Sequence, residues 1–165
     1  FTITDERKET MSISTPYMAN KQVLCVKKEN AAKYTTAEAL KGLTVVAEKE
    51  SAGEEVAMTD KFFSQANYTP VDSMAKAMME VKSGTADACV IDYVTSIGSI
   101  GEGTDYSDLA MVESLAFADE EYGIAFRKGS DITEEVNKII KELIADGTLQ
   151  KIADKYKLGE QLITE

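Results

Sequence analysis

Short apolar runs alternating with amphipathic segments predict an α/β protein, its parallel or mixed sheet covered by helices on both faces. Three observations carry this. Leu43-Thr44-Val45-Val46-Ala47 is apolar and largely β-branched, as a buried strand of a parallel sheet should be. Ala86 to Ile91 is a second such run, with Asp92 at its carboxyl end. Between and after them, apolar residues recur at helical spacing: Met74, Ala77, Met78 and Val81, then Ile132, Val136, Ile139, Ile140, Leu143 and Ile144.

In chain order, Phe1 to Thr4 alternates like a strand end, and Thr4 is placed to cap a helical turn beginning Asp5-Glu6-Arg7. Ser12 to Tyr17 is extended, because Pro16 pushes Thr15 out of helix. Gln22 to Lys27 reads as a strand, and Thr36 to Gly42 as a short helix closed by glycine. After the strand at Leu43, small residues Ser51-Ala52-Gly53 form a tight loop into a helix running to about Ala66, with Glu54 and Glu55 in its first turn. Tyr68 to Val71 contains Pro70 and so suits a sheet edge. Ser73 caps the methionine-rich helix, which reads as core and ends at Gly84. Tyr93 to Ile100 is a further helix and Leu109 to Val112 a strand; Tyr122 to Arg127 is another strand. Ser130 or Asp131 caps the long helix that Gly147 ends, and Leu149, Ile152, Ala153 and Tyr156 mark a final short one.

The chain has 165 residues, 44% of them hydrophobic, enough for one ordinary domain or two small lobes. A net charge of -11 argues against nucleic acid and against an anionic membrane surface as partners. No apolar run is long enough to span a bilayer. No signal segment is seen, so an exported protein would have lost its address. Cys25 and Cys89 each sit within an apolar strand and read as buried small hydrophobes rather than a disulfide. There is no histidine, which removes the usual general base and the usual metal ligand. No catalytic group, cofactor or metal is expected.

In sheets of this kind ligands sit beyond the carboxyl ends of the strands. Ser51 and Asp92 both fall there, after separate strands. The Ser51-Ala52 loop, at a helix N-terminus, offers N–H and O–H donors to an anion; Asp92 offers a carboxylate to a cation. A zwitterion needs that pair. The plain alternative is that Ser51 and Asp92 each cap the helix that follows. A P-loop reading of Lys49 to Gly53 lacks the required glycine spacing and Gly-Lys-Ser ending.

Several stretches, in order, carry a resemblance: Thr2-Ile3-Thr4-Asp5-Glu6-Arg7-Lys8; Ile13 before Ser14-x-Pro16-Tyr17; Leu40-Lys41-Gly42 before a strand; Ser51-Ala52-Gly53-Glu54; Gly84-x-Ala86-Asp87-Ala88 with Asp92; Tyr122 to Gly129; and Asp146-Gly147-Thr148. Each is weak alone. Together they resemble the bacterial family 3 solute-binding proteins for polar amino acids, glutamine binders especially, over essentially the whole chain.

The resemblance implies a periplasmic-binding-protein-like fold of two α/β lobes, one complete and the other partial. Residues 22–116 would be lobe 2, residues 1–17 and 123–165 the remnant of lobe 1, with hinges near 17–22 and 117–123. It implies a protein that closes on a free amino acid and delivers it to an ABC importer permease from the periplasm or, in a Gram-positive bacterium, from the cell surface as a lipoprotein. The membrane would be met only through a lipid anchor or the permease. Arg7 would clamp the ligand α-carboxylate, with Thr2 assisting; Ser51 and Ala52 would meet the same carboxylate and Asp92 the α-ammonium. From local sequence alone, Arg7 also reads as a solvated arginine in a charged turn. Two departures stand out: Ile91 replaces a histidine of the glutamine binders, and Glu50 a common glycine.

The same resemblance implies that the chain begins after the family's first half-lobe. The face formed by Ile132, Val136, Ile139 and Leu143 would then lack its partner, and repacking, a second copy or a domain swap should cover it. A sensor module and a dehydratase-like enzyme on the same scaffold are the alternative functions, the enzyme requiring a cleft carboxylate of raised pKa.

Overall fold

A computed structural model describes residues 1–164. The elements are α1 (Asp5–Thr10), β1 (Met11–Ile13), β2 (Met18–Lys27), β3 (Thr44–Glu48), α2 (Ala52–Thr59), β4 (Asn67–Val71), α3 (Met74–Ser83), β5 (Ala88–Asp92) and α4 (Tyr93–Ser99). They continue with β6 (Leu109–Met111), β7 (Phe117–Tyr122), β8 (Ala125–Arg127), α5 (Ile132–Ala145) and α6 (Thr148–Lys155). Two compact units result: unit 1 is Phe1–Asn20 with Asp119–Glu165, and unit 2 is Lys21–Ala118. The chain passes between them twice, within β2 and within β7.

Unit 2 is a mixed sheet in the order β4-β3-β5-β2-β6. β3 runs parallel to β4 and β5, whereas β2 is antiparallel to β5 and β6. Alternate strand residues face opposite sides. Leu24, Val26, Val45, Ala47, Ala88 and Val90 therefore pack with Val56 and Ala57 of α2 and with Phe63. Val23, Cys25, Val46, Cys89 and Ile91 pack with Ala77, Met78 and Val81 of α3. β4 is the edge strand and accommodates Pro70, while Ser73 caps α3 and Gly84 ends it at a φ of 84°.

Some elements differ from expectation. α2 stops at Thr59 because Asp60 restarts the chain, its side chain accepting the Phe62 N–H at 2.8 Å to open a 3-10 turn at Lys61–Phe63. Met58, near the end of α2, is 66% exposed. The helix expected at Thr36 is only a 3-10 turn, Glu38–Leu40, which seats Leu40 in the core.

In unit 1, Thr4 caps α1, accepting the Arg7 N–H at 3.2 Å. β1 and β8 form an antiparallel pair, Ser12 opposite Phe126. The single strand expected over Tyr122 to Arg127 is broken into β7 and β8 at Gly123. A side chain at Gly123 would meet Ile13 Cγ2 at 2.7 Å and the Ser14 carbonyl at 3.2 Å, so only glycine fits. The Ser14 hydroxyl accepts the freed Ile124 N–H at 2.9 Å.

α5 turns Thr133 and Ile140 inward. Asn137 holds it to the chain before β2, accepting the Thr15 N–H at 2.8 Å. Its flanking residues show that the chain does not repack over the expected stripe: Ile132 is 57% and Ile139 44% exposed, with Val136 and Leu143 half-buried. The reason is geometric, since a helix docked through Ile140 must turn residues about 100° away outward.

Candidate functional site

Unit 2 brings three of the expected site residues to one sheet edge. Because β3 and β5 are parallel, with Ala47 opposite Val90, both chains leave the sheet on the same side. Beyond β3, Ser51 caps α2: its hydroxyl accepts the Glu54 N–H at 3.1 Å and donates to the Glu48 carbonyl at 2.6 Å. Ala52 is the first residue of α2, so the loop presents that helix's N-terminal amides. The turn before it rests on Glu50, which takes the left-handed conformation at a φ of 62°. A glycine would hold that conformation without steric cost, which accounts physically for the departure noted at this position.

Beyond β5, Asp92 occupies the N-cap position of α4 but its side chain makes no capping bond. Its Oδ1 instead accepts the Gln22 Nε2–H at 2.5 Å. The plain capping role therefore holds for Ser51 and fails for Asp92. Gln22 is opposite Asp92 because β2 runs antiparallel to β5, and it is completely buried. Gly53, in the first turn of α2, lies against the same amide: a β-carbon there would come 3.0 Å from Gln22 Oε1 and 3.1 Å from the Val90 carbonyl.

The first turn of α2 carries carboxylates too. Glu54 accepts the Glu50 N–H at 2.6 Å and the Tyr68 hydroxyl at 2.8 Å. Those two bonds, the backbone one first, hold its carboxyl below the usual range, and burial followed by that carboxylate pushes the Tyr68 phenol well up. Lys21 lies 4.8 Å from the centre of the Tyr93 ring, next to Asp92 in sequence. Ile91 is fully buried on the α3 side of the sheet and takes no place at this edge.

The other two residues belong to unit 1. Arg7 is half-buried: its guanidinium donates to the Thr2 carbonyl at 2.9 Å and lies 4.3 Å from the centre of the Phe1 ring. Thr2 is buried and pairs with Tyr122; its hydroxyl donates to Glu120 Oε2 at 3.1 Å, which also accepts from Asn20 at 3.0 Å. Arg7 and Thr2 thus adjoin within unit 1, as Ser51, Ala52 and Asp92 share an edge of unit 2. Among the described residues there is no group of three or more Cys, Asp or Glu arranged to hold a metal.

Sequence reasoning missed Gln22, Glu120 and the Phe1 ring. Gln22 had a signal: an amide heading the run Val23-Leu24-Cys25-Val26 must be buried with them and must find a polar partner. Glu120 had none, being one of three consecutive acidic residues.

Residues 1–160 match the model of the bacterial extracellular solute-binding proteins, family 3. The L-cystine-binding protein TcyJ of Escherichia coli is 31% identical over 156 residues, 94% of this chain and 57% of that protein. The ABC transporter glutamine-binding protein GlnH of Bacillus subtilis is 33% identical over 157 residues, 94% of this chain and 55% of that protein. Among solved structures, a mutant of ArgBP from T. maritima superimposes with a TM-score of 0.80 at 32% identity, over 94% of this chain and 66% of that one. An L-arginine-bound substrate-binding protein, AbpA from Streptococcus pneumoniae, gives 0.78 at 29%, over 96% and 66%. The chain thus spans rather more than half the length of the curated relatives it matches. The α/β, periplasmic-binding-protein-like fold and the match along nearly the whole sequence agree, and the chain belongs to the family 3 bacterial extracellular solute-binding proteins.

Proposed function

We propose that this chain takes part in binding a free polar amino acid for an ABC-type importer, glutamine being one candidate ligand. The observation that carries the reading is the edge of unit 2, where the amide N–H groups opening α2 and the Asp92 carboxylate follow two parallel strands. Such an edge offers one group for each charge of a zwitterion. In this reading Asp92 takes the α-ammonium and Ser51 and Ala52 meet the α-carboxylate, which Arg7 clamps with help from Thr2. The guanidinium of Arg7, held by the Thr2 carbonyl and the Phe1 ring, supports its part, since a planar fork suits a carboxylate better than an ammonium does.

Residues 22–116 are read as one lobe and 1–17 with 123–165 as part of another, hinged near 17–22 and 117–123. Capture by lobe closure makes and breaks no bond, so the protein is read as a receptor and not an enzyme. Its partners are the permease and, over the Ile132–Leu143 face, a second copy or an exchanged segment; a lipid anchor would hold it outside the cytoplasm.

Isothermal titration with L-glutamine, L-arginine, L-cystine and the other common amino acids tests the reading. At least one should release heat and raise the melting temperature, and Asp92→Asn should weaken it by about 10-fold or more, as loss of a charged hydrogen bond does. Silence with all of them defeats it.

A further inference from the structure

We propose that Gln22 is a positioning residue: it fixes the Asp92 carboxylate against the loop that opens α2, so that the two groups facing a zwitterion keep a set separation. This rests on the amino-acid-binding reading. Gln22 is fully buried in a run of apolar residues, a costly place for a primary amide, and its bond to Asp92 offsets part of that cost. Its Nε2 lies 2.5 Å from Asp92 Oδ1. Its Oε1 lies close against Gly53, 3.0 Å from the position a β-carbon there would take. The Gln22 amide therefore lies between the carboxyl end of β5, which it bonds through Asp92, and the first turn of α2, against which it packs at Gly53.

The chemistry explains the choice of glutamine. Its N–H end can only donate to the carboxylate, so it holds Asp92 as an anion acceptor without neutralising it, which a lysine or arginine would do. Asp92 Oδ1 accepts from Gln22, and the carboxylate keeps the negative charge that a ligand ammonium needs. Antiparallel pairing of β2 with β5 places residue 22 opposite residue 92, and an outer partner of this kind is commonly needed to orient a binding group.

The test is a double-mutant cycle in the intact protein. Gln22→Leu keeps the volume and removes both polar ends; it is made alone and with Asp92→Asn, and affinities are measured by calorimetry. The probes are whichever of L-glutamine and L-arginine the wild type binds and its analogue lacking the α-amino group, glutaramic acid or 5-guanidinopentanoic acid. Gln22→Leu should weaken the amino acid by about 10- to 100-fold. It should leave the des-amino analogue within about twofold, and add nothing once Asp92 is already Asn. Equal losses for both probes, or additive losses in the cycle, would mean a merely structural role and overturn the proposal.

If the wild type binds neither of these two, NMR of the Gln22 side-chain amide decides the positioning; only silence with every common amino acid makes the binding reading itself fail. Slow exchange of the Nε2 protons that Asp92→Asn abolishes supports it; fast exchange, or exchange indifferent to Asp92, overturns it.

Discussion

Tyr68, on the edge strand β4, donates its phenolic hydrogen to Glu54 in the first turn of α2 at 2.8 Å. The bond ties the outermost strand to the helix that carries Ser51. It also makes the stability of unit 2 depend on pH at both ends. Glu54 has a depressed folded pKa, so its contribution is present above the ordinary carboxyl value of 4.5 and is lost as pH falls below it. Tyr68 has a raised one, so its contribution is present below 10.0 and is lost as pH rises beyond. Tyr68→Phe should lower the melting temperature at pH 7. The gap from wild type should shrink as the pH is taken from about 6 to about 3, followed by circular dichroism. A gap constant across that range would refute the coupling.

Glu50 sits at a φ of 62° with no β-branch to oppose it, a conformation that costs an ordinary residue about 1–2 kcal/mol. Glu50→Gly should be neutral to slightly stabilising, the relief offset by greater unfolded-state freedom of about 0.5–1 kcal/mol. Glu50→Val should cost about 1–2 kcal/mol or more in urea unfolding. The contrast between the two variants is the diagnostic result.

Cys25 and Cys89 are directly opposite on β2 and β5, both fully buried and both free thiols. The neighbouring Cys25 thiol, then burial, pushes the Cys89 thiol well up, so the reactive thiolate is suppressed. A thiol reagent at pH 8 should titrate neither cysteine in the native protein and both after denaturation. Rapid native reaction would show that β2 and β5 separate in solution.

The outer face of α5 is the remaining liability. Ile132→Asp with Ile139→Asp replaces two exposed residues and should change thermal stability by no more than about 0.5 kcal/mol per site. If a second copy covers this face, the wild type should sediment with concentration-dependent mass and the double variant should not. Identical sedimentation of the two excludes self-association through α5.

Much of unit 2 was legible in the linear pattern, because local rules and packing agree there. Val45, Ala47, Val56 and Ala57 follow strand and helix periods into one core, and Ser51, Ser73, Pro70 and Gly84 sit where caps, edges and stops belong. Where long-range contacts oppose local preference, sequence reading failed: Gly123 breaks a plausible strand because Ile13 and Ser14 crowd it.

By itself, then, the order of residues determined the alternation of strands and helices, the sheet edge that carries Ser51 and Asp92, and the membership of the family. What only the tertiary structure decided is how those side chains are employed. Asp92 declines its helix and turns to Gln22, seventy positions earlier, and half-buried Arg7 bonds the Thr2 carbonyl beside the Phe1 ring. The reason is physical: capping is a local bond readable from neighbours, whereas an antiparallel register joins distant residues whose pairing no local spacing encodes.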